Sequence, residues 1–307
     1  MIVDTLLVLG GLALLVFGGD LLVKGAVGLS LKLGMTPLVV GLTVVAFGTS
    51  APELLVSLSA ALGGASGIAM GNVVGSNIAN VLVILGVTAM VSVIVTKGHD
   101  LRESWAMMIV ASLLLIGVAS TGEIGRPQGA MLLLALGAVL WRQLSTGSAD
   151  QADLDGTTHG AGWGRIALWL GAGLVLLPVG ANLLVSGATD IARAFGISET
   201  VIGLTLVAIG TSLPELAASV ASALKGRADM ALGNVVGSNI FNILAILGIT
   251  AMVSPLPIPP EMMRLDLWVM LGASLLLFPF LFRGISLTRP VGAVFLAGYG
   301  AYVWVLL

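Results

Sequence analysis

The 307-residue sequence contains no cysteine and only two histidines. The lack of thiols excludes disulfide bridges, thiolate metal sites and cysteine nucleophiles together. His99 and His159 both fall in predicted loops, so the sequence does not indicate an imidazole site for a transition metal. Oxygen-bearing groups remain as the main candidates for a functional site.

Charged residues are also scarce: they make up 9% of the chain, whereas hydrophobic residues make up 58%. This balance is typical of a polytopic membrane protein and is too apolar for a soluble domain. The formal net charge is −2 and no basic tract is present, so we expect no nucleic-acid partner. The start, "MIVD", lacks a positively charged leader, which predicts that the first apolar stretch is retained as a span.

A helix needs about 20 mostly apolar residues to cross a bilayer. Ten stretches meet that rule, at residues 5–31, 36–62, 68–95, 104–121, 126–144, 166–194, 198–224, 229–253, 266–283 and 289–307. The polar stretch "STGSADQADLDGTTHGAGWG", residues 145–164, is predicted to be a flexible linker between halves 1–144 and 165–307. The predicted fold class is an all-α polytopic membrane protein with ten transmembrane helices.

The two halves repeat each other at an offset of 162 positions. The offset aligns "GNVVGSNIANVLVILGVTAMVS", residues 71–92, with "GNVVGSNIFNILAILGITAMVS", residues 233–254, and these differ at only four positions. Residues 41–62 correspond to 203–224 in the same way. Because each half holds five spans, an odd number, the second copy must enter the membrane from the opposite side. We therefore predict two inverted five-helix repeats.

The lysines and arginines of the loops predict the orientation. If the N-terminus lies outside, the outer loops hold only Arg126, Arg193 and Arg264. The cytoplasmic loops then hold Lys32, Lys97, Arg102, Arg142, Arg165, Lys225, Arg227, Arg283 and Arg289. The positive-inside rule accordingly places both termini outside and the linker in the cytoplasm.

A polar motif interrupts one span of each half. It reads "AFGTSAPE" from Ala46 to Glu53 and "AIGTSLPE" from Ala208 to Glu215. Proline has no N–H, so Pro52 and Pro214 each leave the carbonyl four residues earlier without its helical partner. Packing kinks are one explanation for such prolines. Irregular backbone at membrane depth is otherwise found where it lines a cavity.

The glutamates that follow these prolines favour a functional explanation. A charge at the bilayer centre costs about 2.5–3.5 kcal/mol on insertion scales, so Glu53 and Glu215 indicate a site. The spans offer almost no cation to pair with them, since Lys24 has Asp20 one helical turn away as its natural partner. Two carboxylates among carbonyls and hydroxyls suit Ca²⁺, which takes six to eight oxygen ligands, better than Mg²⁺.

Further neutral oxygens accompany both glutamates. Hydroxyls stand beside them at Thr49, Ser50, Thr211 and Ser212. The "GNVVGSN" segments add Asn72, Ser76, Asn234 and Ser238, and Asn80 and Asn242 follow each serine by four residues on the same helix face. Glycines spaced four apart in these segments predict close packing against the glutamate helices.

The paired stretches "GLTVVAFGTSAPELLVS" and "GLTLVAIGTSLPELAAS", each followed by "GNVVGSNI", resemble the alpha repeats of the cation/calcium exchanger superfamily, specifically its sodium/calcium exchanger branch. The resemblance covers nearly the whole chain and includes the short linker of prokaryotic members. It implies an antiporter of the prokaryotic inner membrane. The second, third, seventh and eighth spans would form a core, and the first and sixth spans would slide across it by alternating access.

The resemblance also implies roles for individual residues. Glu53 and Glu215 would be shared ligands of Ca²⁺ and Na⁺, joined at the Ca²⁺ site by the carbonyls of Thr49 and Thr211. Two flanking Na⁺ sites would use the carbonyls of Ala46 and Ala208 together with Ser50, Ser76, Ser212 and Ser238. Asn80 and Asn242 would line the centre. Both ions are substrates, and neither a cofactor nor an obligatory protein partner is expected.

Two features bear on the counter-ion. Potassium-dependent relatives carry an aspartate where this chain has Asn242, so the asparagine predicts K⁺ independence. Proton/calcium exchangers have an acidic residue in the "GN" motif, which is absent here and favours Na⁺ over H⁺. A K⁺-dependent or H⁺-coupled exchanger remains the nearest alternative.

Two other classes are compatible with paired acidic residues in a membrane. Such residues can line a cation channel. They can also serve as the acid and base of an intramembrane enzyme, although two equivalent carboxylates are poorly suited to that division of labour. Glycines 10, 11, 18 and 19 of the first span predict either a smooth sliding surface or ordinary helix packing.

Overall fold

The computed structural model describes residues 1–97, 101–146, 161–196 and 208–306. Its helices are numbered here in chain order. In the first half they are α1 (Ile2–Leu33), α2 (Pro37–Thr49), α3 (Ala51–Leu62), α4 (Ser66–Val91), α5 (Arg102–Ala119) and α6 (Arg126–Thr146). In the second half they are α7 (Trp163–Ala194), α8 (Ala208–Gly210), α9 (Leu213–Leu224), α10 (Ala228–Val253), α11 (Pro260–Arg283) and α12 (Arg289–Leu306).

Every one of the ten predicted spans is helical over most of its described residues. Seven helices are long and apolar enough to cross a membrane, or eight if α2 and α3 count as one bent span. The helix α6 is not among these, and of the predicted span 198–224 only residues 208–224 are described. An all-helical membrane architecture is confirmed, whereas the number ten stays a prediction. Most of the predicted linker, residues 147–160, lies outside the described residues.

The motifs at residues 46–53 and 208–215 were predicted to break a helix, and this prediction is confirmed. The axes of α2 and α3 meet at 43°. Ser50 between them leaves the helical region at φ −83° and ψ 5°, and Pro52 occupies the first turn of α3, where its missing N–H costs nothing. Ser212 repeats this conformation at φ −89° and ψ 3°, just before Pro214 of α9. Each break therefore places a glutamate in the first turn of a new helix.

Helices α4 and α10 lie at the centre of the molecule, and both widen into a π-helical turn. These turns run over Asn80–Ile84 and Asn242–Ile246, and a third covers Gly41–Val45 of α2. Such turns inside α-helices frequently occur at functional sites. The turns in α4 and α10 begin at Asn80 and Asn242, the two asparagines that the family resemblance places at the centre.

Short extended segments at the ends of helices form backbone hydrogen bonds between the two halves. Strand β1 (Glu123–Ile124) pairs antiparallel with β2 (Leu256–Pro257), and Ile94 forms an isolated bridge with Leu287. The predicted third span, 68–95, is therefore too long at its end. The helix stops at Val91, because residues 93–97 turn into this extended connection.

Helices α1 and α7 pack together through glycines spaced seven residues apart. A Cβ on Gly11 would lie 2.6 Å from the carbonyl oxygen of Gly180, and one on Gly25 would lie 2.7 Å from the backbone nitrogen of Leu170. As residue numbers increase along α1, the residues that they contact in α7 have decreasing numbers. The two equivalent helices are therefore antiparallel. Gly11 and Gly18 face α7, and Gly19 faces Ala217 of α9. Gly11 and Gly18 therefore pack against α7, and Gly19 packs against α9.

The predicted ion pair between Asp20 and Lys24 is present, at 2.7 Å. A third residue joins it: Lys225 Nζ, just past the end of α9, lies 2.6 Å from Asp20 Oδ1 and donates to the Asp20 carbonyl at 2.9 Å. This contact links α1 to the helix that carries Glu215. The equivalent positions in the other repeat, Asn182 and Gly63, hold no charge.

Candidate cation-binding site

Glu53 and Glu215 are both buried, each with 1% of its surface exposed. They lie in the first turns of α3 and α9, where the partial positive charge of a helix N-terminus favours a carboxylate. Within the described part of the chain, neither forms an ion pair with a lysine or arginine. When both are ionised, the two carboxylates repel each other. In its ionised form the site therefore has negative charge that none of the described lysines or arginines neutralises.

The two breaks meet across the site. Ser50 Oγ of the first half donates a hydrogen bond of 2.9 Å to Glu215 Oε1 of the second. Ser212, the equivalent of Ser50, faces Glu53 more loosely, and its hydroxyl has no hydrogen-bond partner of normal geometry among the described residues. The two half-sites share one plan but are not identical in this conformation.

Asn72 and Asn234 hold the glutamate helices against α4 and α10. The side-chain nitrogen of Asn72 donates to the Glu53 carbonyl at 3.1 Å and to Ser57 Oγ at 2.9 Å. Asn234 makes the same two bonds in the other half, to the Glu215 carbonyl at 3.2 Å and to Ser219 Oγ at 3.0 Å. These amides fix the position of each glutamate, a role that the sequence analysis did not assign to them.

The threonines and alanines of the motifs differ between the halves. Thr49 Oγ1 donates toward the carbonyl of Val45 at 3.1 Å and also contacts Asn234 Oδ1 at 3.3 Å, whereas Thr211 Oγ1 is buried without a partner in the described part. The Ala46 carbonyl accepts from Ser50 N at 3.0 Å. At the second break, Ser212 N donates to the carbonyl oxygen of Ile209, also at 3.0 Å.

Ten buried side-chain oxygens have no hydrogen-bond partner within the described part of the chain. Seven of them belong to predicted ligand residues: Glu53 Oε2, Glu215 Oε2, Asn80 Oδ1, Asn242 Oδ1, Thr211 Oγ1, Ser212 Oγ and Ser238 Oγ. The other three, Thr88 Oγ1, Thr250 Oγ1 and Ser274 Oγ, do not. Leaving a buried polar atom unpaired costs about 1–3 kcal/mol, and more for a charged one. All seven belong to residues predicted as ligands, and a bound cation would satisfy them.

The remaining predicted residues lie close by. Ser76 is buried one residue before Asn77, as Ser238 is before Asn239. No group of three or more acidic or histidine side chains capable of holding a metal occurs among the described residues. A cation here must therefore be coordinated by two carboxylates and by neutral oxygens, which is the donor set of a hard cation such as Ca²⁺ or Na⁺.

Sequence reasoning missed Asn77 and Asn239. Asn80 Nδ2 donates to Asn239 Oδ1 at 2.9 Å, and Asn242 Nδ2 donates to Asn77 Oδ1 at 3.1 Å. The signal was available, because Asn77 and Asn80 are three residues apart on one face of a buried helix. Paired sequence copies alone do not reveal that each asparagine contacts the opposite copy.

A buried oxygen site of this kind, built from two repeats of a membrane protein, defines a membrane cation transporter. A family model described as sodium/calcium exchanger protein matches residues 3–145 and 165–307. The chain therefore belongs to the sodium/calcium exchanger family.

Relatives in several organisms agree with this assignment. The chain is 39% identical to the putative antiporter CaxA of Alkalimonas amylolytica, over 100% of this chain and 99% of the relative. It is 34% identical to the sodium/calcium exchanger MaX1 of Methanosarcina acetivorans, over 99% and 98% of the two chains. It is 40% identical to the inner membrane protein YrbG of Escherichia coli, over 90% and 88%.

The fold matches solved structures of the sodium-calcium exchanger NCX_Mj. One of them, soaked with Na⁺ and Ca²⁺, superposes with a TM-score of 0.86 at 34% identity, covering 100% of this chain and 99% of that one. The family model describes exchangers, and two of these relatives are named as a putative antiporter and a sodium/calcium exchanger. The intramembrane enzyme considered from the sequence is therefore excluded.

Proposed function

We propose that the protein is a secondary active antiporter that exchanges Na⁺ for Ca²⁺, with Glu53 and Glu215 as ligands shared by both ions. The observation that carries the proposal is that two buried carboxylates without a cationic partner in the described part of the chain each keep one oxygen without a hydrogen-bond partner, as do five oxygens of other predicted ligand residues. Thr49, Thr211, Ala46 and Ala208 contribute backbone carbonyls, and Ser50, Ser76, Ser212 and Ser238 contribute hydroxyls.

Charge balance explains why exchange is obligatory in this proposal. Two ionised carboxylates without a cation are costly to bury in a site that excludes water. The unloaded protein therefore resists the conformational change between its outward-open and inward-open states. One Ca²⁺ neutralises them, and so do Na⁺ ions bound in its place. Binding of either Ca²⁺ or Na⁺ therefore permits the conformational change that the empty site hinders. No further cofactor or protein partner is required.

The proposal includes ten spans in two inverted repeats, 1–144 and 165–307, with the linker 145–164 in the cytoplasm and both termini outside. The antiparallel packing of the equivalent helices α1 and α7 supports the inversion. The site forms where the breaks of both halves meet, next to this helix pair. Sliding of α1 and α7 over the remaining helices would open the site to each side in turn.

Proteoliposomes loaded with Na⁺ test the exchange. On dilution into Na⁺-free and K⁺-free buffer, they are expected to accumulate radiolabelled Ca²⁺, because outward Na⁺ flux drives inward Ca²⁺ flux. Vesicles without the Na⁺ gradient serve as the control and should show no accumulation. Uptake that follows an imposed voltage equally well without Na⁺ would contradict exchange and support a channel.

The same vesicles test the coupling ion. Initial Ca²⁺ uptake is expected to be equal with and without K⁺, because Asn80 and Asn242 carry no charge that an additional K⁺ would balance. Dissipating a proton gradient with an uncoupler should also leave uptake unchanged. A strict requirement for K⁺, or uptake driven by protons in the absence of Na⁺, would contradict this part of the proposal.

A further inference from the structure

Four asparagines form a hydrogen-bonded chain at the contact between α4 and α10. Asn77 and Asn80 belong to the first half, and Asn239 and Asn242 occupy the equivalent positions in the second. Each of the four is 1% exposed. Buried amides of this kind must find partners within the protein, so their hydrogen bonds decide which way each amide turns.

The side-chain nitrogens of Asn77 and Asn239 face groups that only accept hydrogen bonds. Asn77 Nδ2 lies 3.4 Å from the Asn239 carbonyl and 3.5 Å from Met270 Sδ. Asn239 Nδ2 lies 3.3 Å from the Asn77 carbonyl and 3.6 Å from Met108 Sδ. A carbonyl and a thioether have no proton to donate, so both amides must turn their NH₂ groups toward them.

This orientation determines the next pair of amides. With their NH₂ groups engaged, Asn77 and Asn239 present only their Oδ1 atoms to Asn242 and Asn80. Those acceptors need donors, and they receive Nδ2 of Asn242 at 3.1 Å and Nδ2 of Asn80 at 2.9 Å. The Oδ1 atoms of Asn80 and Asn242 are left on the other side, buried and without partners in the described part of the chain.

We propose that Asn77 and Asn239 are positioning residues that turn the carbonyl oxygens of Asn242 and Asn80 toward the transported cation. An amide turned the other way would present two N–H donors, which repel a cation. The hydrogen bonds cross between the halves: Asn239 of the second half orients Asn80 of the first, and Asn77 of the first half orients Asn242 of the second. This inference rests on the proposed function, and its test separates the two.

The crossed hydrogen bonds provide the test, because a carboxylate has an oxygen on both sides and needs no orienting partner. Asn239→Leu removes the acceptor for Asn80 and is expected to raise the half-saturating Ca²⁺ concentration about tenfold or more, with a smaller change in maximal rate. Adding Asn80→Asp is expected to restore much of the affinity. Adding Asn242→Asp instead introduces the same charge at the non-partner position and should restore less.

The reciprocal set uses Asn77→Leu, which Asn242→Asp should rescue better than Asn80→Asp. Ca²⁺-dependent rises in melting temperature measure binding in every variant independently of transport. Equal rescue by both aspartates, or rescue by neither, would overturn the proposal. If Asn239→Leu or Asn77→Leu does not fold, alanine replaces leucine with the same expectation. Failure of the proposed function would appear differently, as a lack of Na⁺-driven uptake by the unmodified protein.

Discussion

Replacing Glu53 or Glu215 by glutamine is expected to abolish Na⁺-driven Ca²⁺ uptake while the protein still inserts and folds. Glutamine keeps the size and one oxygen of the side chain but removes one of two negative charges. Two unit charges about 4 Å apart interact by about 4 kcal/mol at an effective dielectric constant of 20. For a divalent ion, this loss corresponds to more than about a hundredfold weaker binding.

Uptake of radiolabelled Ca²⁺ into Na⁺-loaded proteoliposomes measures the effect. Glu261→Gln is the matched control, since this glutamate is exposed on α11 and lies outside the site. It should transport at the rate of the unmodified protein. Substantial uptake by both site variants at comparable protein incorporation would contradict a shared site.

Gly11→Ala is expected to lower the melting temperature by several degrees and to slow transport. The new Cβ would lie 2.6 Å from the Gly180 oxygen and 2.6 Å from the Leu184 nitrogen. Both are backbone atoms that cannot rotate away, so α1 and α7 must separate. Overpacking of this kind costs about 1–3 kcal/mol.

The neighbouring glycine supplies the control. A Cβ on Gly10 meets no described atom within 4 Å, so Gly10→Ala should leave uptake close to that of the unmodified protein and should not lower the melting temperature. Helix propensity alone would act equally at both positions. Equal melting temperatures for Gly10→Ala and Gly11→Ala would therefore show that the interface tolerates the added methyl group.

Much of the architecture could be predicted from the sequence because a membrane restricts the choices. Long apolar stretches predicted the helices, and prolines beside Glu53 and Glu215 predicted breaks that the structure contains. The pairing of Asp20 with Lys24 followed from their spacing of one turn. Each of these features depends on residues of one helix, so the sequence of that helix is enough to predict it.

Contacts between the halves could not be predicted in the same way. The repeat identifies Ser50 as the equivalent of Ser212, but it does not reveal that Ser50 donates to Glu215, the glutamate of the other half. The orientation of Asn80 by Asn239 is hidden for the same reason. Equivalence in sequence and contact in space are different relations, and only the packing of one repeat on the other connects them.

The ion pair between Asp20 and Lys225 has no equivalent in the other repeat, so the two repeats are not energetically identical. In an exchanger that alternates between two mirror-related arrangements, identical repeats would make both arrangements equal in energy and equally populated. The mirror of this contact would join Asn182 to Gly63, which cannot form an ion pair. This partly exposed ion pair, worth at most about 1 kcal/mol, therefore favours the arrangement in which Lys225 holds α1 and has no counterpart in the other.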